Sequence, residues 1–210
     1  QELAREAGVS VGLVSNVKKI LKDREWIDGK KQKIILTRPR ELLSQWLAEA
    51  APTDRVYNFA ADMDFIGAEN AVIGYCLENG IQCAFTGLTG AVQLASGIDY
   101  YRRVQAHIYG DFDFTGKEFG FEKTDSGSAN VTLIRPVDAG VFYGTRQVQP
   151  AARLRYCRPS EKTVKTIEKE IRVPMNIVSP LQIYFDLKVT LQEGPNEADK
   201  VLKQVIEPSW

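Results

Sequence analysis

The stretch Glu2-Leu-Ala-Arg-Glu-Ala-Gly-Val-Ser-Val-Gly-Leu-Val-Ser-Asn-Val17 decides how this chain begins. Leu3, Ala4 and Ala7 recur at helical spacing, which predicts a short helix over residues 1–7. Gly8 then supplies the backbone freedom of a tight turn. Val9 falls where it can plug the space between two helices. Ser10 can cap the next helix by accepting an orphan backbone N–H. From Val11 to Lys22 the pattern is amphipathic. Leu13, Val14, Val17, Ile20 and Leu21 are expected to face a core, with Gly12, Ser15, Asn16, Lys19 and Lys22 mostly on the other side. Helix, glycine-containing turn, helix is the order of a helix-turn-helix.

A hairpin follows. Glu25-Trp26-Ile27 reads as a short strand, Asp28-Gly29-Lys30-Lys31 as a turn, and Lys33-Ile34-Ile35-Leu36 as the returning strand, with Asp-Gly the turn signal. Together these elements predict a winged helix-turn-helix domain over residues 1–50. Its three-helix core needs one more helix, which is expected in an N-terminal segment ahead of Gln1. Without it, Leu3, Val14 and Val17 have too little to pack against. Lys18 to Arg40 holds nine Lys/Arg against three acids, in a chain whose Lys+Arg and Asp+Glu are equal at 27 each. A local positive excess in an otherwise neutral protein is the footprint of a phosphate-binding face. The candidate base-reading residues are Ser10, Gly12, Ser15 and Asn16, from the N-terminal end of the second helix. An Asn side chain can pair bidentately with adenine, and a Ser hydroxyl can bond a base or a phosphate. The candidate phosphate contacts are Lys18, Lys19, Lys22, Lys30, Lys31 and Lys33.

With 210 residues, 44% hydrophobic and 26% charged, the chain has the balance of a folded protein of one large or two small domains. No apolar run approaches the roughly 18 residues that span a bilayer, and no signal peptide opens the sequence. Cys76, Cys83 and Cys157 lie apart without a Cys-x-x-Cys pattern. That spacing argues against a disulfide framework or zinc cluster and predicts a cytoplasmic protein.

A linker helix is read over Glu41 to Ala50, with Pro39 suited to its first turn. The domain boundary falls near residues 50–54, and residues 54–210 read as a mixed α/β domain. Helices are predicted over Gly67 to Asn79, about Ala91 to Ser96, Val178 to Leu191 and Asn196 to Ile206. Strands are predicted over Gln82 to Phe85, Val104 to Tyr109 and Ala129 to Ile134, with Gly140 to Val148 extended. The strand order does not follow from the pattern.

The second domain offers little chemistry. His107 is the only histidine, in a strand-like run that favours a surface or hydrogen-bonded structural role. Thr86-Gly-Leu-Thr-Gly90 could cradle an anion but lacks the Lys-Ser/Thr ending of a P-loop, so close strand–helix packing is the expected role. The pairs Asp62/Asp64 and Asp111/Asp113 would hold magnesium only if a strand placed both carboxylates on one face. No catalytic residue, metal or cofactor is expected.

Three stretches together resemble a known family. They are Glu2 to Val17, quoted above, the linker Arg40-Glu-Leu-Leu-Ser-Gln-Trp46, and Val178-Ser-Pro-Leu-Gln-Ile-Tyr-Phe-Asp-Leu187. They are similar to the transcriptional regulators and antitoxins of the abortive-infection AbiE type, the antitoxins of type IV toxin–antitoxin systems. The resemblance implies an N-terminal winged helix that represses its own operon and a C-terminal α/β domain associated with antitoxicity. It implies a nucleotidyltransferase-like toxin that is counteracted without a stable complex. It carries DNA contacts only onto Ser10 to Lys22 and the Lys30 to Lys33 wing, and it brings no catalytic residues. The expected function is therefore a sequence-specific DNA-binding repressor acting as an antitoxin, with operator DNA as its partner. Two rivals stand beside it: a metal-dependent nucleotidyltransferase using an Asp pair, and an interaction module whose winged helix binds protein.

Overall fold

The computed structural model describes residues 1–29, 34–50, 54–98, 101–111, 113–137, 139–148 and 174–210. The chain divides into two compact units, Gln1–Ala51 and Pro52–Ser209. Among the described residues no helix is long and apolar enough to cross a membrane.

The first unit contains α1 (Glu2–Glu6), α2 (Val11–Asp23), β1 (Ile27–Asp28), β2 (Ile35–Leu36) and α3 (Pro39–Glu49). Strands β1 and β2 pair antiparallel, Ile27 opposite Leu36 and Asp28 opposite Ile35. The first strand starts later than the sequence pattern suggested. Glu25 takes φ +57°, the left-handed turn that carries the chain out of α2, so extended backbone is first available at Ile27. Helix α3 begins at Pro39, whose ring presets the helical φ at N1.

The second unit is mixed α and β around a seven-stranded sheet. Its strands are β3 (Arg55–Ala61), β4 (Gln82–Phe85), β5 (Val104–Tyr109), β6 (Phe121–Lys123), β7 (Val131–Arg135), β8 (Arg146–Val148) and β9 (Met175–Ile177). They lie in the order β6-β3-β7-β5-β4-β9-β8. The β7–β5 and β4–β9 pairs are parallel and the others antiparallel. Helix α4 (Phe65–Glu78) covers one face. The other carries α5 (Gly87–Ala91), α6 (Pro180–Phe185) and α7 (Pro195–Val201); the last two continue as π-helical turns to Thr190 and Ile206.

Strand β5 lies at the centre of this arrangement, and every residue from Val104 to Ile108 is buried. Pleating sends Val104, Ala106 and Ile108 to the α4 side and Gln105 and His107 to the α5–α6 side. On the α4 side, Phe59 and Phe121 pack with ring centroids 6.3 Å apart, Phe119 stacks on Phe121, and Tyr75 of α4 meets Phe119 edge-on. The other side is polar along a row. Thr132 donates to Asn58 at 2.9 Å. Gln105 accepts from Leu88 N–H at 2.7 Å and donates to Glu193 at 2.8 Å.

Several segments differ from their sequence expectation. The helix read from Ala91 starts at Gly87 and ends where it was expected to begin. Its glycines serve close packing: a Cβ on Gly90 would lie 2.8 Å from Ile183, and one on Gly87 would lie 2.2 Å from Gln105 Oε1. Within Gly140 to Val148, Ala139–Phe142 forms a 3-10 turn and only Arg146–Val148 is extended. The helix expected from Val178 starts at Pro180, because Ser179 caps it by accepting Gln182 N–H at 3.2 Å. Strand β3, central to one half of the sheet, lies in a stretch the pattern did not single out.

One buried cluster locks the sheet to α6. Asp186 and His107 are both fully buried, with His107 Nε2 2.7 Å from Asp186 Oδ2. Thr86 donates to the same oxygen. Gln182 Nε2 donates to Oδ1 at 2.9 Å and Thr190 Oγ1 at 3.1 Å. Removing the carboxylate would leave four donors without their acceptor in a dry interior. Asp186→Ala is expected to cost about 1–3 kcal/mol or more, the penalty for leaving buried hydrogen-bonding groups unsatisfied. Urea unfolding monitored by circular dichroism measures this, and a loss below about 1 kcal/mol would show that the cluster contributes little.

Candidate nucleic-acid interface

The candidate DNA contacts fall on α2 and on the segment between β1 and β2. Helix α2 is positioned by its entry. Gly8 takes φ +64°, and Val9 N–H reaches back to Ala4 O at 2.9 Å, so the chain reverses tightly after α1. Ser10 then adopts extended backbone and its hydroxyl accepts Leu13 N–H at 3.1 Å. This is the capping role read from the sequence. The Ser10 hydroxyl retains a hydrogen that it can donate to a second partner. Arg24 N–H closes the far end on Ile20 O at 3.1 Å.

A rotation of about 100° per residue divides α2 into two sides. Leu13, Val14, Val17 and Leu21 cluster on one. Gly12, Ser15, Asn16, Lys19 and Lys22 occupy the opposite arc, and all five are exposed. Lys18 lies between and is partly covered. The structure thus brings the helical candidates onto one open surface with the cap residue at its N-terminal end. There the backbone N–H groups and the helix dipole favour an anion. Asp28 accepts from Gly29 N–H at 2.7 Å where β1 ends. Lys30, Lys31 and Lys33 lie outside the described residues. Nearby, the Arg38 guanidinium is engaged by Glu25 at 3.1 Å and Glu41 at 3.5 Å, and Arg24 stacks over Trp26 at 4.8 Å. Those two arginines hold the end of α2 and the start of α3 in place and have less freedom to meet phosphate.

The core-facing role expected of Leu13, Val17 and Ile20 is not formed among the described residues, where all three are exposed. No residue of α2 is fully buried. Leu3, Leu13 and Val17 remain about half exposed, at 51%, 50% and 44%. They line an apolar groove of about 540 Å³ together with Val14, Leu21 and Leu36. Within this unit α2 packs chiefly against the five-residue α1 and against β1, which together are too small to cover a thirteen-residue helix.

The candidates for other chemistry are placed differently. Neither Asp pair lies in a strand. Asp62 is exposed, and Asp64 caps α4 by accepting Gly67 N–H at 2.7 Å. Asp111 and Asp113 are exposed in the loop after β5. Among the described residues no three His, Cys, Asp or Glu side chains gather to hold a metal ion. The Thr86 to Gly90 segment offers no anion cradle, since Leu88 N–H is taken by Gln105. Of the two roles expected of His107, surface or hydrogen-bonded structural, the structure shows the second. Its Nε2 faces Asp186, and its Nδ1, also buried, has no hydrogen-bond partner among the described residues. The cluster is sealed from solvent, so it holds elements together and does not meet a dissolved substrate. The sequence pattern places Thr86 in a turn and Gln182 in a helix, and it links neither these nor Thr190 to His107. The Gln182–Asp186–Thr190 spacing of four residues was the available signal, since it places three polar side chains on one helix face.

No protein-family model, curated protein or solved structure matches the chain.

The cap makes a direct prediction. Ser10→Ala is expected to destabilise the first unit by about 1 kcal/mol through loss of the Leu13 N–H acceptor, while Ser10→Asp preserves stability. Thermal unfolding of the three proteins checks this, and equal stability of Ser10→Ala and the natural chain would remove the capping assignment.

Proposed function

We propose that residues 1–50 form a winged helix-turn-helix that binds duplex DNA, and that the chain is a sequence-specific transcriptional regulator. The observation that carries this reading is the two-sided α2. Its exposed arc holds Gly12, Ser15, Asn16, Lys19 and Lys22, its N-terminus is capped by Ser10, and Leu13, Val14, Val17 and Leu21 lie on the other side. A helix with small and polar residues along its exposed N-terminal half can approach base edges in the major groove, while its lysines meet the flanking phosphates. The antiparallel β1–β2 pair follows directly, and the sequence between the strands carries Lys30, Lys31 and Lys33. The resemblance of the Glu2–Val17, Arg40–Trp46 and Val178–Leu187 stretches to type IV antitoxins makes the regulator an autorepressing antitoxin. Its partners are then its own operator and, functionally, a cognate toxin in the cytoplasm.

Fluorescence anisotropy against a duplex from upstream of its own gene, and against a scrambled duplex, tests this reading over a salt series. Preferential binding that falls steeply with salt is expected. Lys30→Ala with Lys31→Ala is expected to weaken binding to both duplexes and to flatten the salt slope by about one unit per lost phosphate contact. Asn16→Ala is expected to reduce discrimination between the duplexes by about 1–3 kcal/mol. A folded protein that binds neither duplex at low salt would overturn the proposal.

The apolar groove favours a second reading, a protein-contact module. That reading predicts that polar substitution of Leu13 and Val17 abolishes partner binding, while the lysine and Asn16 substitutions leave it intact.

A further inference from the structure

Cys76 and Cys83 look isolated in sequence, and the fold brings them together. Cys76 lies in the last turn of α4 and is buried, only 1% exposed. The helix ends at Glu78, Gly80 takes φ +63°, and Ile81 N–H returns to Cys76 O at 2.8 Å. This reversal delivers Cys83 to the second position of β4, opposite Ile108 and therefore on the α4 side of the sheet. There the two thiols are close enough to act on each other. Both line a cavity of about 270 Å³ whose wall includes the exposed side chains Gln82, Gln147 and Asn176. Cys83 is half-buried, so a small molecule in that cavity reaches it before Cys76.

The two sulfurs are not equivalent. The neighbouring Cys76 thiol holds the Cys83 thiol below its ordinary range, although burial works against it. The same pairing, reinforced by burial, pushes Cys76 up. Thiolate character therefore collects on the more accessible sulfur, the arrangement that makes a cysteine nucleophilic.

We propose that Cys76 and Cys83 form a reactive dithiol, a modification site for hydroperoxides in which Cys83 attacks and Cys76 resolves. The Cys83 thiolate attacks one peroxide oxygen. A sulfur–oxygen bond forms as the oxygen–oxygen bond breaks, and the departing alkoxide or hydroxide takes a proton from solvent. Cys83 is then a sulfenic acid. The Cys76 sulfur attacks the Cys83 sulfur, the sulfur–oxygen bond breaks, and the hydroxyl leaves as water with the Cys76 proton. Two thiols and one hydroperoxide become one disulfide, one alcohol or water, and one further water. The two electrons lost by sulfur reduce the peroxide. The product ties the end of α4 to β4.

Hydrogen peroxide added stoichiometrically to the full chain, followed by peptide mapping without reduction, tests this. A Cys76–Cys83 crosslink is expected, with loss of about 2 Da and reversal by dithiothreitol. It should form faster in the folded chain than in the same chain unfolded in guanidinium chloride. In Cys76→Ser the sulfenic acid on Cys83 lacks Cys76 as its resolving partner, and a second equivalent of peroxide should carry it to the sulfinic acid. Both thiols remaining free, or equal rates in the folded and unfolded chains, would overturn the proposal. Undiminished oxidation of Cys76 in Cys83→Ser would overturn the assignment of roles.

Discussion

The second unit turns on a single buried carboxylate. Asp186 opens the π-helical turn that continues α6, and it gathers donors from three places in the chain. Thr86 comes from the end of β4, His107 from the middle of β5, and Gln182 and Thr190 from the turns on either side of Asp186. A polar group placed in a dry interior is tolerated only when its hydrogen-bonding capacity is satisfied. The geometry therefore permits little slippage, since moving α6 by one residue would strand the carboxylate. Apolar contacts alone would hold the helix to the sheet but would discriminate less between neighbouring registers. The glycines of α5 complete the constraint by letting that helix come close to Ile183 and Gln105.

This dependence explains what could and could not be read in advance. Elements with a self-contained pattern were legible. Helix α2 has two faces within its thirteen residues, with its cap Ser10 and its turn glycine Gly8 just ahead of them. Strands β4 and β5 match the sequence reading at both ends. The sheet order was not legible, because it pairs β4 with β9 and β5 with β7 across long separations for which local pattern carries no signal. The fate of Gln105 and His107 was hidden for a related reason. Their alternation with Val104, Ala106 and Ile108 suggests a solvated face, yet a second layer of helices covers it and supplies partners for the polar groups. Strand β3 carries no clear strand pattern because its centre mixes Asn58 with aromatic neighbours, and Asn58 finds its partner only in Thr132 of β7.

The first unit follows a different logic. It holds few buried side chains, chiefly Ala4, Ile27 and Leu43, and its longest helix leaves its apolar side half open. Local signals such as the Ser10 cap and the Gly8 turn specify its form more than burial does. The same helix turns its small and polar residues outward, which is why the candidate interface could be read from sequence while its packing could not. Helix periodicity identifies which side is apolar. It does not show how much neighbouring structure is present to cover that side.

The central claim is that the exposed arc of α2, with the lysines after β1, is the surface that meets duplex DNA. Lysine-reactivity footprinting of the full chain, with and without the upstream duplex, tests it most directly. The proposed interface requires protection of Lys18, Lys19, Lys22, Lys30, Lys31 and Lys33, with Lys117, Lys123 and Lys203 of the second unit unchanged. Protection confined to the second unit, or spread evenly over all lysines, would contradict it.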